Sequence, residues 1–336
     1  MAKIIWDCEL EPGQYLNKLK LFDQIIESGK RVIVSATPNT GKSRAAIEAL
    51  NDSDKRFVFV ADTIPLAKDL AKYGLDIHYG AEKRFFDSKA VATIPHHIKD
   101  FAGTHDILVV DEWHTLVTDY SYKRDVIDDL LDSFDNFDQV IGLTGTFNAK
   151  RKGFELIRIE DKEPPIELEL ISALDPIGAV AISVISNPQT KHWISVHSRD
   201  DYPNQILEIL EAYGINKSSS IKFNSVTKYD DDVKGIYEKN ALTGQQNNVL
   251  STYKQGFSLE DGPWMLHILS KKDRPFSPID IAQVSRRFRT AGSLKKARFY
   301  ANVRESDAHD GFFSLKMLVQ AQLRKTPHDQ DRCRLS

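Results

Sequence analysis

Short, fully apolar runs alternate along the chain with segments whose apolar residues return at helical spacing. In the first half the apolar runs are residues 32–34, 57–60, 107–110 and 140–143, each followed by a polar or Gly-containing turn. A run that is apolar at every position suits a strand covered on both faces, as in a parallel sheet wrapped by helices. The first half therefore predicts an α/β domain.

A helix is predicted at residues 14–29, which end at a glycine. Its apolar face at helical spacing consists of Tyr15, Leu19, Phe22 and Ile26. A place on this face favours core packing for Tyr15, since buried aromatic side chains are common. The alternative is that Gln14 or Tyr15 contacts an adenine ring.

The second half repeats the same pattern and predicts a second α/β unit. The expected strands are residues 179–185, 193–196, 220–223, 248–250 and 265–269, with a helix at 203–213. A proline-containing, charged stretch at 157–176 is typical of a connection between domains. We therefore expect one domain at 1–160, a second at 161–305, and a C-terminal helix and basic tail at 306–336. The face of that last helix is Phe312, Leu315, Val319 and Leu323.

Composition and charge narrow the class of protein. The 336 residues are 41% hydrophobic and 28% charged, as in globular proteins, and no apolar stretch is long enough for a membrane span. The start lacks the apolar run of a secretory signal, so we expect a soluble protein inside a bacterial or phage-infected cell. The two cysteines, Cys8 and Cys333, offer neither a disulfide framework nor a CxxC zinc site. Counting from the sequence, residues 1–150 hold 18 basic and 24 acidic side chains and the remainder 27 and 24, so the second half is compatible with a polyanion.

The strongest chemical signal follows the strand at 32–34, where a loop leads directly into a helix. The loop has the P-loop form with Ala in place of the first Gly, and consists of Ala36, Thr37, Pro38, Asn39, Thr40, Gly41, Lys42 and Ser43. Backbone N–H groups at a helix start converge on one point and bind phosphate. Lys42 adds a positive charge toward the β- and γ-phosphates, and the Ser43 hydroxyl can coordinate Mg²⁺.

Two acids, Asp111 and Glu112, end the apolar strand at 107–110. The carboxyl ends of parallel strands share one edge of a sheet, which is where open α/β proteins bind ligands and where the P-loop also lies. Asp111 is expected to hold Mg²⁺, and Glu112 to take a proton from the attacking water or to orient it. An ordinary strand end with solvated acids is the alternative.

Five segments together resemble motifs of superfamily 2 helicases of the DExH type. They are the P-loop, the DEWH run at 111–114, the LTGT run at 143–146, the LSTYKQGFS run at 250–258 and the QVSRRFR run at 283–289. The resemblance covers about residues 30 to 290 in the family's order. The form of the last motif is closest to viral and phage replication helicases of the origin-binding type.

The resemblance implies two tandem RecA-like domains with ATP and Mg²⁺ between them. It assigns catalytic roles to Lys42, Asp111 and Glu112 in the first domain. In the second domain it makes Gln283, Arg287 and Arg289 catalytic, and gives Gly256 and Arg286 nucleotide contacts. An arginine against the γ-phosphate stabilises the charge that develops in phosphoryl transfer. Arg287 is the first choice for this finger, with Arg286 and Arg289 open.

The resemblance also implies contacts to a nucleic-acid strand and coupling of those contacts to the ATP site. The residues in these roles are Thr63, Thr93, His114, Thr144, Thr146, Ser198 and Thr252. His192 and Ser195 are weaker candidates near Ser198. Because hydroxyls commonly contact phosphates but also cap helices, either role is open for Thr63 and Thr93.

The resemblance implies an ATP-dependent helicase or translocase. It is expected to act as a monomer on single-stranded or branched DNA, in replication or recombination and with proteins of those processes. An RNA helicase, a translocase that does not unwind, and a nucleotide-gated clamp with little turnover are the alternatives.

The acids Asp125, Asp128, Asp129, Asp132, Asp135 and Asp138 lack the pattern of a calcium loop and predict a solvated helix face. His96 and His97 have no Cys partner nearby and are expected to be structural or surface residues. Trp113 is expected to pack behind the ATP site, with stacking on a nucleic-acid base as the alternative.

Overall fold

The computed structural model consists of two compact units, Met1–Glu163 and Pro164–Ser336. It describes residues 7–11, 14–38, 40–79, 87–145, 151–161, 167–224, 226–227, 230–239, 241–242, 244–252, 259–270, 276–288 and 294–302. Each unit contains a parallel sheet covered by helices.

The sheet of unit 1 has eight strands in the order β1-β8-β2-β7-β6-β3-β5-β4, and all neighbours are parallel. The strands are β1 (Asp7–Leu10), β2 (Val32–Ala36), β3 (Phe57–Val60), β4 (Asp76–His78), β5 (Ala90–Thr93), β6 (Ile107–Val110), β7 (Gln139–Thr144) and β8 (Glu155–Asp161). Parallel strands require crossovers, and helices supply them here.

Five helices lie around this sheet in the described part of unit 1. They are α1 (Leu21–Ser28), α2 (Lys42–Asp52), α3 (Ile64–Asp69), α4 (Thr115–Thr118) and α5 (Tyr120–Asp132), with 3₁₀ turns at Leu16–Leu19, Leu70–Tyr73, Pro95–Phe101 and Ser133–Asn136. Val32 and Val34 pack into one apolar cluster while Ile33, between them, packs into another. Both faces of the sheet are therefore buried, as the fully apolar strand runs predict.

The sheet of unit 2 has six parallel strands in the order β11-β12-β10-β13-β14-β9. The strands are β9 (Leu168–Ala173), β10 (Lys191–Val196), β11 (Ser220–Phe223), β12 (Asn248–Ser251), β13 (Trp264–Leu269) and β14 (Leu294–Asn302). The helices are α6 (Pro176–Ile185), α7 (Asp201–Ala212), α8 (Asp231–Glu238) and α9 (Pro278–Ser285), with a 3₁₀ turn at Lys217–Ser219.

The expectation of a strand at 179–185 is wrong, because this apolar run forms helix α6. Asp175 caps the helix by accepting a hydrogen bond from the Gly178 backbone N–H, and Pro176 occupies the first turn. Both are helix-start signals. The stretch at 157–176 is not a simple connection either, since it contains most of β8 and all of β9.

The single helix expected at 14–29 is broken at Lys20, whose φ of 50° lies in the left-handed region. A 3₁₀ turn precedes this break and α1 follows it. The buried side chains are Leu16, Leu21, Phe22 and Ile25, and Tyr15 is 53% exposed. Core packing for Tyr15 is therefore wrong. The helix expected near 312–323 lies outside the described residues.

Candidate functional site

The P-loop lies between the carboxyl end of β2 and the start of α2. Gly41 is the N-cap of α2 and has a φ of 78°, a backbone conformation that favours glycine. The Thr40 hydroxyl donates to the Thr37 carbonyl at 2.9 Å, which closes the loop from inside. The loop therefore presents the start of an eleven-residue helix at the edge of the sheet, where an anion is favoured.

Lys42 is buried and its ammonium group bonds to the loop itself. Nζ donates to the carbonyl oxygens of Ala36 and Thr37, both at 2.9 Å. Pro38 is half-buried on the same loop, and Asn39 lies outside the described residues. The lysine predicted to contact phosphate is therefore already positioned inside the loop.

The structure brings Ser43 and Asp111 together from positions 68 residues apart. The Ser43 hydroxyl donates to Asp111 Oδ2 at 3.0 Å. The pKa of Asp111 is raised to about 6, first by burial and then by the neighbouring Glu112 charge, although the Glu112 backbone N–H, Lys42 and Ser43 act in the opposite direction. A carboxylate in this position gains from a nearby cation.

These residues fit a Mg²⁺ ion. Mg²⁺ prefers hard oxygen ligands and is usually held by one or two protein groups together with substrate phosphates and waters. The Ser43 hydroxyl and the Asp111 carboxylate supply two such oxygens within 3.0 Å of each other, beside the phosphate-binding loop.

Glu112 has a φ of 47°, which is uncommon for a residue with a side chain. Its backbone N–H donates to Asp111 Oδ1 at 3.0 Å, and its Oε2 lies 3.4 Å from Nδ1 of the buried His114. Strained backbone is found at functional sites, where it fixes a side-chain direction. The second acid of the pair thus has a backbone direction fixed by its dihedral angle and lies beside a buried histidine.

Trp113 fixes the position of this strand end from behind, which confirms the packing role predicted for it. Its backbone N–H donates to the Leu143 carbonyl at 2.7 Å, and its ring stacks on Phe134. A Cβ on Gly142 would lie 2.4 Å from the indole, so only glycine fits there. The tryptophan therefore joins the ends of β6 and β7.

The LTGT run lies against the P-loop. A Cβ on Gly145 would come 3.1 Å from the Pro38 ring. Thr144 is fully buried at the end of β7, and its hydroxyl has no hydrogen-bond partner among the described residues. Thr146 lies outside those residues. The run is thus positioned to sense a change in the loop.

Tyr15 also reaches the P-loop, a position compatible with the alternative given for it above and not with core packing. A Cβ on Gly41 would lie 3.4 Å from Tyr15 Cδ1, and the neighbouring Leu16 N–H donates to the Thr40 carbonyl at 3.1 Å. The exposed tyrosine ring therefore borders the loop. The left-handed backbone at Lys20 separates the turn that contains Tyr15 from helix α1. A continuous helix over residues 14–29 does not include this break.

A cavity of about 220 Å³ opens beside Asp111, between α5 and the ends of β3 and β6. On its wall Lys123 Nζ bridges Asp62 at 3.0 Å and Asp119 at 2.8 Å. Desolvation raises the pKa of Asp62, although the Lys123 charge opposes this shift. Sequence reasoning missed this buried ion triad, because Asp62 and Lys123 are 61 residues apart.

Thr63 and Thr93, which are predicted to contact a nucleic-acid strand, differ in exposure. Thr63 is half-buried on the cavity wall, and its side chain makes no capping hydrogen bond to α3. Thr93 is fully buried and donates its hydroxyl to the His78 carbonyl at 2.8 Å. The expected contact through the Thr93 hydroxyl is therefore not available in this structure.

In unit 2, α9 carries part of the expected arginine motif. The helix begins with a capping box between Ser277 and Asp280. Gln283 is buried at 1% exposure, Arg286 is half-buried at the C-cap, and Arg287 is 9% exposed. Arg289 and Gly256 lie outside the described residues.

The remaining strand-contact candidates of unit 2 lie at strand ends. Thr252 follows β12, and its backbone N–H donates to the Phe223 carbonyl at 3.1 Å. Ser198 follows β10 and accepts from the Tyr202 N–H at 3.3 Å. His192 and Ser195 are fully buried inside the sheet. Their side chains therefore cannot contact a nucleic-acid strand directly.

The acids at 125–138 form a surface face, as predicted. Asp128, Asp129 and Asp135 make ion pairs with Arg124, Lys99 and Arg31, at distances of 3.7, 2.6 and 2.9 Å. Over the described residues none of these acids belongs to a group that could hold a metal ion.

Comparison with known proteins gives a likeness in fold. No protein-family model matches the chain, and no curated protein is significantly similar to it. Among solved structures, the crystal structure of the E. coli DExH-box NTPase HrpB superposes with a TM-score of 0.57 at 13% sequence identity. The alignment covers 88% of this chain but only 42% of HrpB. The likeness shows the fold, an α/β protein with two tandem RecA-like domains. No described helix is both long and apolar enough to cross a membrane.

Proposed function

We propose that the protein is a Mg²⁺- and ATP-dependent motor that moves on or unwinds nucleic acid. One observation carries the proposal: the Ser43 hydroxyl and the Asp111 carboxylate meet at 3.0 Å beside a P-loop, with Glu112 next in the chain. This is the arrangement that phosphoryl transfer requires for positioning a triphosphate. HrpB, which the chain resembles in fold, is a DExH-box NTPase, and this supports the proposal.

The residues of unit 1 have distinct roles in hydrolysis. The α2 start and Lys42 bind the phosphates, and Lys42 exchanges its two loop carbonyls for phosphate oxygens. Bound Mg²⁺, held by Ser43 and Asp111, would neutralise charge on the phosphate oxygens. Glu112 accepts a proton from water as the water oxygen bonds to the γ-phosphorus and the bond to the bridging oxygen breaks. His114 orients Glu112 from 3.4 Å.

The residues of unit 2 are proposed to complete the reaction. A guanidinium, with Arg287 as first choice and Arg286 and Arg289 open, stabilises the charge that develops on the transferred group. Gly256 and Arg286 contact the nucleotide, and Gln283 couples the ATP site to the nucleic acid. Loss of the γ-phosphate removes the arginine's partner, so the nucleotide state becomes a conformational signal.

The proposed polymer is DNA, single-stranded or branched. This choice depends on the resemblance of the arginine motif to viral and phage replication helicases. Strand contacts are assigned to Thr63, Ser198 and Thr252, and coupling to His114, Thr144 and Thr146. In this proposal the protein acts as a monomer, inside the cell, in replication or recombination.

The test is phosphate release measured with ATP and Mg²⁺, alone and with single-stranded DNA or RNA. We expect turnover to rise with polymer, and to rise more with DNA than with RNA. A rise with RNA alone would replace DNA by RNA. ATP binding without turnover under any condition would support the nucleotide-gated clamp, and the absence of stimulation by either polymer would defeat the motor.

A further inference from the structure

Two histidines and an aspartate of unit 1 converge at the edge of the sheet, away from the P-loop. His78 ends the edge strand β4, and His97 and Asp100 lie one turn apart on the 3₁₀ turn Pro95–Phe101. One donor atom from each residue, two imidazole nitrogens and a carboxylate oxygen, lies within 4.8 Å of the others. His78 is buried at 1% exposure, whereas the side chains of His97 and Asp100 are 24% and 31% exposed.

Asp100 makes one long hydrogen bond to His78, and the distances within this cluster also match those between ligands of one shared ion. Asp100 Oδ2 lies 3.3 Å from His78 Nε2 and 3.6 Å from His97 Nδ1. A good N–H···O hydrogen bond is shorter, at about 2.7–3.2 Å. Ligands held about 2.0–2.2 Å from a metal at tetrahedral angles lie about 3.3–3.6 Å apart. Two edges of the cluster thus have metal-site dimensions.

The third edge can close by a turn of one ring. The His78 and His97 rings meet edge to face, with centroids 5.3 Å apart and planes at 86°. His78 is fixed by Phe101, whose ring packs on it at 5.0 Å. His97 is the more exposed of the two, so a shift of its ring toward the common centre displaces less of the core than a shift of His78 would.

We propose that His78, His97 and Asp100 form a binding site for a borderline transition-metal ion, with Zn²⁺ as the best fit. Imidazole nitrogens favour Zn²⁺, Co²⁺ and Ni²⁺ over Mg²⁺, which prefers oxygen ligands. Two imidazoles and one carboxylate leave the remaining position for water. The site is therefore chemically distinct from the Ser43 and Asp111 oxygens and does not depend on the proposed motor function.

A metal here would join two segments of unit 1. His78 is paired in the sheet with Thr93, which ends β5 and immediately precedes the 3₁₀ turn. The Thr93 hydroxyl already bonds to the His78 carbonyl at 2.8 Å. An ion bound by His78 on one side and by His97 and Asp100 on the other would fix the turn to the edge strand.

The test uses the full-length protein, with ZnCl₂ titrated against a chromophoric chelator in excess Mg²⁺. Asp100→Asn and His97→Ala each remove one ligand, and Asp100→Asn keeps the shape of the side chain. Each is expected to weaken Zn²⁺ binding by at least about 10-fold, the scale known for loss of outer-shell partners alone. His96→Ala is the matched control, because His96 faces the cavity on the other side and is exposed. It should bind as the wild type does.

Amide hydrogen exchange gives a readout that does not depend on variants. Zn²⁺ should slow exchange in residues 76–78 and 95–101 of the wild type, and this slowing should be lost in Asp100→Asn. Zn²⁺ bound equally by wild type and both variants, slowed exchange only elsewhere, or no Zn²⁺ binding in the presence of Mg²⁺ would each overturn the site.

Discussion

Both units are built on parallel sheets, but they place polar side chains at different points along their strands. In unit 1 the charged groups of the candidate site, Lys42, Asp111 and Glu112, gather where strands end. In unit 2 a chain of buried polar groups runs through the sheet from β10 across β13 to β14. It consists of His192, His267 and Tyr300, linked by contacts of 2.9 and 3.0 Å.

The hydrogen bonds of this polar chain fix its protons. His192 Nε2 lies 3.0 Å from the Asn187 carbonyl, which can only accept, so Nε2 carries the proton. His192 Nδ1 then accepts from His267 Nε2, and His267 Nδ1 accepts from the Tyr300 hydroxyl. Both imidazoles are therefore neutral, and burial lowers the pKa of each.

The difference shows two uses of buried polarity. A charge at a strand end can gain a ligand as its partner, so it can serve binding and chemistry. A polar group in the middle of a sheet is satisfied only by its neighbours, so it must stay neutral, and it serves stability. We therefore expect changes at strand ends to alter turnover and changes inside the second sheet to alter folding.

The largest expected effect tests whether unit 2 also contributes to chemistry. Arg286→Lys, Arg287→Lys and Arg289→Lys keep the charge but lose the planar fork. Loss of a true finger should lower turnover by about 10³- to 10⁵-fold with ATP affinity unchanged. Single-turnover hydrolysis and nucleotide titration would identify the arginine. Normal turnover in all three variants would confine the chemistry to unit 1.

The second effect concerns the strand end of unit 1. Glu112→Gln keeps the size of the side chain but removes the proton acceptor, so turnover should fall by about 10²- to 10⁴-fold. ATP binding and the unfolding midpoint should remain those of the wild type. The matched control is Glu48→Gln on α2, whose carboxylate pairs with Arg44 at the surface. Wild-type turnover in Glu112→Gln would contradict the assigned role.

The third effect concerns folding and has a defined pH dependence. The lowered pKa values of His192 and His267 mean that, as pH falls below about 6.5, the unfolded chain takes up protons that the folded chain does not. The contribution of these two histidines to stability should therefore be greatest above that pH and decline below it. Urea unfolding across this range, with hydrogen exchange at β10 and β13, would measure the decline.

Variants of the polar chain sharpen this third test. His267→Phe leaves a buried donor and a buried acceptor without partners and should cost about 1–3 kcal/mol at neutral pH. It should also reduce the pH dependence, since one of the two titrating groups is gone. Tyr300→Phe removes only the hydroxyl and should cost less. A pH dependence in His267→Phe equal to that of the wild type would refute the explanation.

The smallest effect concerns an exposed side chain at the P-loop. Tyr15→Ala removes a half-exposed ring, so the free energy of unfolding should change by no more than about 0.5 kcal/mol. The KM for ATP should rise, because the ring borders Gly41. Tyr213→Ala, at a 70% exposed position of unit 2, is the control and should leave KM unchanged. Equal KM values in both variants would remove Tyr15 from the site.

The sequence predicted best the features that local pattern determines. The four apolar runs of the first half are strands because both faces of their sheet are buried, and each begins and ends within two residues of its prediction. Helix α6 was mistaken for a strand, because a short apolar run has no periodicity that distinguishes the two. Strand β14, with charged residues along its length, gives no apolar run at all.

The candidate site divides in the same way. Lys42, Ser43, Asp111 and Glu112 could be predicted, because each is fixed by a local strand-loop sequence and parallel strands share their ends. The Asp62 and Lys123 pair and the convergence of His78 with Asp100 could not, because they depend on which strand lies at the sheet edge and how the helices pack. Tyr15 was assigned to the core because the sequence does not show the single left-handed residue, Lys20, that breaks the predicted helix.

The hydrogen bonds of Lys42 have a consequence for nucleotide entry. The ammonium group stabilises the conformation of the loop, because it donates hydrogen bonds to two carbonyl oxygens of that loop. In the proposed function, the phosphate of an entering nucleotide would therefore bind to a loop that already has its shape. The free energy that Lys42 contributes to phosphate binding is then the difference between the hydrogen bonds it makes to phosphate and those it gives up in the loop. A small difference favours rapid exchange of nucleotide over very tight binding.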